Sequence, residues 1–177
     1  MKRLLVAGAL VLAGLVPAAA QQANDPQNTV YLDTKDGRIT IRLRPDLAPK
    51  HVEQIKALTK QGFYNGIVFH RVIDGFMAQT GDPTGTGTGG SDMPDLKAEF
   101  NAEPHVRGVC SMARTNQPHS ANSQFFIVFD DARFLDKQYT AWGKVVEGME
   151  NVDKIKRGEP VSEPDRILSM KVMADAA

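Results

Sequence analysis

The run Phe69-His70-Arg71-Val72-Ile73-Asp74-Gly75-Phe76-Met77-Ala78-Gln79 holds the residues whose types and spacing best suit chemistry. Two short apolar runs flank Asp74-Gly75, which reads as a strand, a tight turn and a returning strand. Arg71 sits inside the first run with Phe69 and Ile73 two positions away on either side, so a regular strand puts all three on one face. A three-residue connection of Asp74, Gly75 and Phe76 sets Arg71 opposite Gln79 and Ile73 opposite Met77. A two-residue turn sets Arg71 opposite Ala78 instead. The longer register is preferred because guanidinium and amide then satisfy each other, with Phe76 at the tip. Gln124 and Phe126 alternate on one face of the strongest β-prone run and extend this surface. One permanent cation over apolar side chains suits binding of an extended peptide, burial of a small ring, and catalysis without a covalent intermediate. The plain alternative is a solvated strand arginine paired with Asp74.

Other chemistries lack their residues. No Gly-x-Ser-x-Gly elbow occurs, and His119-Ser120 are neighbours in a polar loop, which does not make a nucleophile and its base. Neither paired cysteines nor a His-Glu-x-x-His pattern is present, so no metal site is expected, and His51 and His70 read as structural. Gly85, Gly87 and Gly90 match the dinucleotide glycine spacing, but Ser91-Asp92-Met93-Pro94 follows where a helix would have to start. No cofactor is expected.

The elements that must position Arg71 are mainly strands. Thr29–Thr34 and Arg38–Leu43 form a first hairpin around Asp36-Gly37. Pro49 starts a helix through Val52, Ile55 and Leu58 that Gly62 ends. Gly81 to Gly90 is a surface loop. Strands are expected at Gly108–Ala113, Gln124–Phe129, Thr140–Val146 and Ile167–Val172, with a second helix marked by Met149, Val152 and Ile155. The sum is about eight strands and two helices, which favours an all-β sandwich or barrel over a doubly wound sheet.

Composition fits one globular domain: 177 residues, 42% hydrophobic and 24% charged. Lys2 and Arg3 precede an apolar stretch of thirteen positions, Leu4–Val16, and Ala18-Ala19-Ala20 offers a cleavage site. That stretch is too short for a permanent membrane span, so residues 1–20 read as a signal peptide, 21–28 as a flexible leader and 29–175 as the folded domain. Cleavage leaves 19 basic residues against 21 acidic ones, a net charge of −2, which gives no electrostatic case for nucleic acid or an anionic membrane. Cys110 is the single cysteine and excludes an internal disulfide. No long apolar stretch is left over, which favours a monomer.

Several separated motifs agree in order and spacing. Phe69-His70-Arg71-Val72-Ile73, Gly75-Phe76-Met77-x-Gln79-x-Gly81-Asp82, Ser111-Met112-Ala113, Ser123-Gln124-Phe125-Phe126-Ile127, Phe134-Leu135-Asp136 and Trp142-Gly143-Lys144-Val145 together resemble the cyclophilin-type peptidyl-prolyl cis-trans isomerases. The likeness spans roughly Val30 to Val172 and looks similar to exported bacterial members. It implies a mainly β fold, a closed eight-stranded antiparallel barrel capped by two α-helices, with the site on its outer face. It implies that Arg71 is catalytic, with Phe76 and Gln79 beside it. Met77, Phe126 and Leu135 would complete a proline pocket, and Phe134 and Tyr139 would also bind substrate. Ala113, Arg114, Thr115 and Gln124 would hold the peptide main chain. Phe134 stands where the best-known eukaryotic members carry Trp, so cyclosporin-like ligands are expected to bind with weakened affinity. Tyr139 and Arg114 stand where those members carry His and Asn, which bears on substrate preference.

The function implied is acceleration of X-Pro rotation in proline-containing segments of folding exported proteins, in the periplasm or, for a cell with one membrane, outside it. A peptide-binding chaperone that uses the same groove without turnover is the alternative, and a hydrolase a distant third.

Overall fold

The computed structural model describes residues 25–176; the expected signal peptide and its cleavage site lie outside them. Eight strands are laid down in chain order: β1 (Thr29–Thr34), β2 (Gly37–Leu43), β3 (Arg71–Ile73), β4 (Met77–Thr80), β5 (Val109–Met112), β6 (Phe125–Val128), β7 (Ala141–Glu147) and β8 (Ser169–Val172). Two helices accompany them, α1 (Pro49–Lys60) after β2 and the single turn α2 (Met149–Val152) after β7. Of the expected leader, Pro26–Asn28 forms a 3-10 turn capped by the Asp25 carboxylate.

The strands join one antiparallel sheet in the order β3-β4-β6-β5-β7-β2-β1-β8. The expected closed barrel is not formed. The sheet curls, but β3 and β8 remain its two edges and share no ladder. Single bridges, Val68 to Arg166 and Val72 to Gly158, span the gap instead. The reason lies in the connection before β8: Pro160 and Pro164 have no N–H to donate, so that segment cannot extend a ladder along β3.

Alternation gives the curled sheet two apolar faces. Val72, Ala78, Phe125 and Ile127 point inward and join Val30, Leu32, Ile39, Ile41 and Trp142 in the main core. Phe125 sits edge-on to both Tyr64 and Trp142, with ring centroids 5.5 and 5.4 Å away, a favoured aromatic geometry. Pro49 opens α1, whose Val52, Ile55 and Leu58 cover this core. The alternate residues Met77, Phe126 and Val128 point outward and build a second cluster with Val109, Ala132, Leu135 and Ala141. A soluble sheet with apolar residues on both faces needs a cover or a use for the outer one. That outer cluster is the floor of the site.

Candidate active site

Arg71 faces Gln79, and Ile73 faces Met77, in the β3–β4 hairpin. This is the three-residue connection, closed by the Phe76 N–H donating to the Ile73 carbonyl at 3.0 Å. Arg71 does not pair with Asp74, which takes Arg157 at 3.1 Å instead. Its Nη1 donates to Gln79 Oε1 at 3.4 Å, and its Nε donates to Glu159 Oε1 at 2.6 Å. The Gln79 amide in turn donates to Gln124 Oε1 at 2.9 Å, and Gln124 Nε2 donates to the carbonyls of Gly89 (2.9 Å) and Gly87 (3.1 Å). A row of amides thus runs from the glycine loop to the guanidinium, and each leaves its neighbour little choice of orientation.

Beside the guanidinium lies a small cleft of about 140 Å³, lined by Arg71, Phe76, Met77, Gln79, Ala113, Arg114, Phe126, Leu135 and Tyr139. Met77 and Phe126 form its buried floor. Tyr139 stands edge-on to Phe126 at 5.9 Å, and Leu135 comes from a 3-10 turn, Arg133–Leu135. The Arg114 guanidinium lies 4.6 Å over the Tyr139 ring and donates to the Gln138 carbonyl at 2.8 and 3.0 Å. Its side chain therefore walls the cleft. Phe134 is 65% exposed on the rim, 5.4 Å from Phe76. A cleft of this size, apolar below and flanked by Arg71 on one side and Arg114 on another, fits a five-membered aliphatic ring.

Thr115 and Gln124 lie next door, in a larger groove of about 570 Å³ bounded by Gly87–Ser91 on one side and Ala113–Thr115 on the other. All twelve expected site residues therefore lie on one outer face, nine around the small cleft, two in the adjoining groove and Phe134 on the rim. The Ala113 N–H is spent on the Gln124 carbonyl at 3.0 Å.

Asp82 holds the glycine loop in shape. It is 1% exposed and accepts from the N–H and hydroxyl of Thr84 (2.8 and 2.7 Å) and from the Gly87 N–H at 2.6 Å. Burial pushes its carboxyl up, but these hydrogen bonds outweigh that and bring its pKa to about 2. Gly81, at φ +90°, lies so close to the Ser123 carbonyl that no side chain would fit.

Two groups of residues escaped the sequence reading. One is Glu159, which no local pattern marks and which lies 88 positions from Arg71. The other lies beneath Phe126, where His105 bonds Asp136 through Nδ1 (3.0 Å) and Ser111 Oγ through Nε2 (2.8 Å). These are the residue types of a hydrolytic triad, but Ser111 is fully buried and His105 1% exposed, so no substrate carbonyl reaches the hydroxyl. The arrangement fastens the Asp136 segment to β5. Among the described residues no cluster of His, Cys, Asp or Glu could hold a metal ion, and no helix is long and apolar enough to cross a membrane.

Known proteins share this family and fold. The family model for cyclophilin-type peptidyl-prolyl cis-trans isomerases matches residues 29–172. A probable peptidyl-prolyl cis-trans isomerase of Brucella suis is 53% identical over 187 residues, covering 97% of this chain and 95% of that protein. Peptidyl-prolyl cis-trans isomerase-like 3 of Rattus norvegicus is 45% identical over 139 residues, 76% of this chain and 85% of that one. Among solved structures, the cyclophilin AquaCyp293 from Hirschia baltica superposes with a TM-score of 0.81 at 32% identity, covering 93% of this chain and 83% of that one. A cyclophilin-type isomerase from Cryptosporidium parvum, solved in the presence of the dipeptide Ala-Pro, gives 0.76 at 28% identity, covering 81% and 98%.

Proposed function

The chain belongs to the cyclophilin-type peptidyl-prolyl cis-trans isomerases, and from that premise we propose that Arg71 drives X-Pro isomerisation in exported client proteins. It is an isomerase that needs no cofactor in this reading. The barrier to rotation about an X-Pro bond is about 18–20 kcal/mol and comes from amide resonance. As the bond twists, the prolyl nitrogen loses that resonance and becomes pyramidal and basic. A guanidinium beside it then donates a hydrogen bond that the planar ground state accepts poorly, so the twisted state is stabilised selectively.

The observation that carries this reading is the position of Arg71 at the side of a cleft sized for a prolyl ring, its guanidinium restrained by Gln79 and Glu159. Phe76, Met77, Phe126, Leu135 and Tyr139 bury the ring, with Phe134 at the rim. Gln124 and the Ala113–Thr115 edge take the main chain preceding it. With Phe rather than Trp at position 134 on that rim, cyclosporin-like rings bind weakly in this reading. A dipeptide containing proline accompanies the Cryptosporidium neighbour, which supports proline-containing segments as the substrate here.

The basic start and short apolar run of residues 1–20 support export to the periplasm, or out of a cell with one membrane. In that reading the mass of the mature protein corresponds to a chain beginning at Gln21. The isomerisation itself is tested by exchange NMR on a short X-Pro peptide. Removing one aimed donor by Arg71→Ala is expected to lower kcat/KM about 100-fold or more with the circular dichroism unchanged. A folded wild type that gives no acceleration would leave peptide binding without turnover as the better reading.

A further inference from the structure

Arg71 lies on β3, an edge strand of three residues, and its side chain is 40% exposed. A long side chain so placed has many rotamers to choose from, and holding one costs entropy. Its contact with Gln79 is long, at 3.4 Å. The short contact is to Glu159, whose Oε1 accepts from Nε at 2.6 Å, a charge-assisted hydrogen bond.

The strap that carries Glu159 is held by backbone hydrogen bonds, and the Glu159 side chain, 56% exposed, has Arg71 as its partner. The Val72 N–H donates to the Gly158 carbonyl at 2.8 Å, and the Gly158 N–H donates back to the Val72 carbonyl at 2.8 Å. Two residues on, the Val161 N–H donates to the His70 carbonyl at 3.2 Å. Residues 158–161 thus run beside β3 and present Glu159 next to Arg71. Arg157 clamps the same strap to the hairpin through Asp74 and to its own root through the carbonyls of Asp153 and Ile155, both at 2.6 Å. The carboxylate is not part of the cleft that takes the ring. It lines a separate hollow behind the guanidinium, with His70, Thr86, Gly87 and Pro160.

We propose that Glu159 is a positioning residue: it fixes the Arg71 guanidinium from the side away from the substrate, so that the remaining N–H groups point at the prolyl nitrogen. The inference rests on the isomerase reading. Glu159 makes no substrate contact, so its loss acts on turnover and leaves binding alone. An amide at this position can still accept from Nε, whereas a methyl cannot.

The test is exchange NMR on a short X-Pro peptide with wild type, Glu159→Ala, Glu159→Gln, Arg71→Ala and the Glu159→Ala/Arg71→Ala double variant. Glu159→Ala is expected to lower kcat about fivefold to tenfold, the cost of a misaimed group, while KM stays within about twofold. Glu159→Gln restores most of the loss, and the Arg71 Nε–H resonance, displaced in Glu159→Ala, returns. In the Arg71→Ala background the Glu159→Ala change has no further effect. Unchanged kcat in a folded Glu159→Ala protein, or an equal loss with and without Arg71, overturns the proposal while the isomerase reading stands. An inactive folded wild type overturns both.

Discussion

Arg71 is suited to its place by shape as much as by charge. Its planar fork offers N–H groups on different edges, so it can be held by Glu159 and Gln79 while others remain for the proposed contact with the prolyl nitrogen. Lysine carries the same charge on one rotatable head and cannot be gripped and aimed together. Arg71→Lys is therefore expected to fold normally yet lose about 10- to 100-fold in kcat/KM, measured with the same peptide; near wild-type turnover would show that charge alone suffices. The arginine and its amide partner were legible because both lie in one hairpin, where strand alternation decides which side chains meet. Glu159 was not, because its approach to β3 depends on a strap far along the chain. The same holds for His105, Asp136 and Ser111, which meet only once β5 and the Asp136 segment are packed together.

The glycine loop shows how a segment without regular structure is made rigid. Thr84, Thr86 and Thr88 link their hydroxyls in a row, each step 2.8 Å, and Asp82 gathers Thr84 and Gly87 from below. The loop then offers the Gly87 and Gly89 carbonyls to Gln124. Because the Asp82 pKa is lowered from 3.8 to about 2, its contribution is fully present above the unfolded value and is lost as pH falls through about 2. The wild type is expected to lose about 2 kcal/mol from this group between roughly pH 4 and pH 2. Asp82→Asn should lack that part of the acid dependence, as urea unfolding across this range would show. An unchanged acid profile in the variant would mean that the carboxylate contributes nothing specific. The glycine pattern places the loop at the surface, but its inward anchor is not legible in sequence, because a single aspartate beside glycines also reads as an ordinary turn.

Three of the four histidines are buried, and none of the three faces a substrate cleft of the proposed kind as a titrating group. Burial lowers the pKa of His51, His70 and His105, although Glu99 pushes His51 back up, Asp82 does so for His70 and Asp136 for His105. A histidine with a lowered folded pKa favours the native state above its ordinary value near 6.5 and penalises it as pH falls below that. The urea midpoint is therefore expected to fall from pH 7.5 to pH 5, well above the range where Asp82 acts. A flat profile over that interval would show that the histidines titrate freely in the folded protein.

The chain's hydrophobic pattern was enough to read a mainly β domain with two helices, because these depend on local alternation, turn chemistry and helix-ending glycines. The β3–β4 register was preferred for the fit of Arg71 to Gln79, and most of the candidate site residues came from the family resemblance. The pattern was not enough to say whether the sheet closes. Closure depends on whether the first and last strands can exchange hydrogen bonds across the whole sheet, and here β3 is three residues long and the chain before β8 carries two prolines. Nor could alternation place Glu159 behind Arg71, since that contact is set by backbone and side-chain hydrogen bonds between a strap and a hairpin far apart in sequence. Local pattern fixes which face a side chain takes, and the packing of distant segments fixes what stands opposite it.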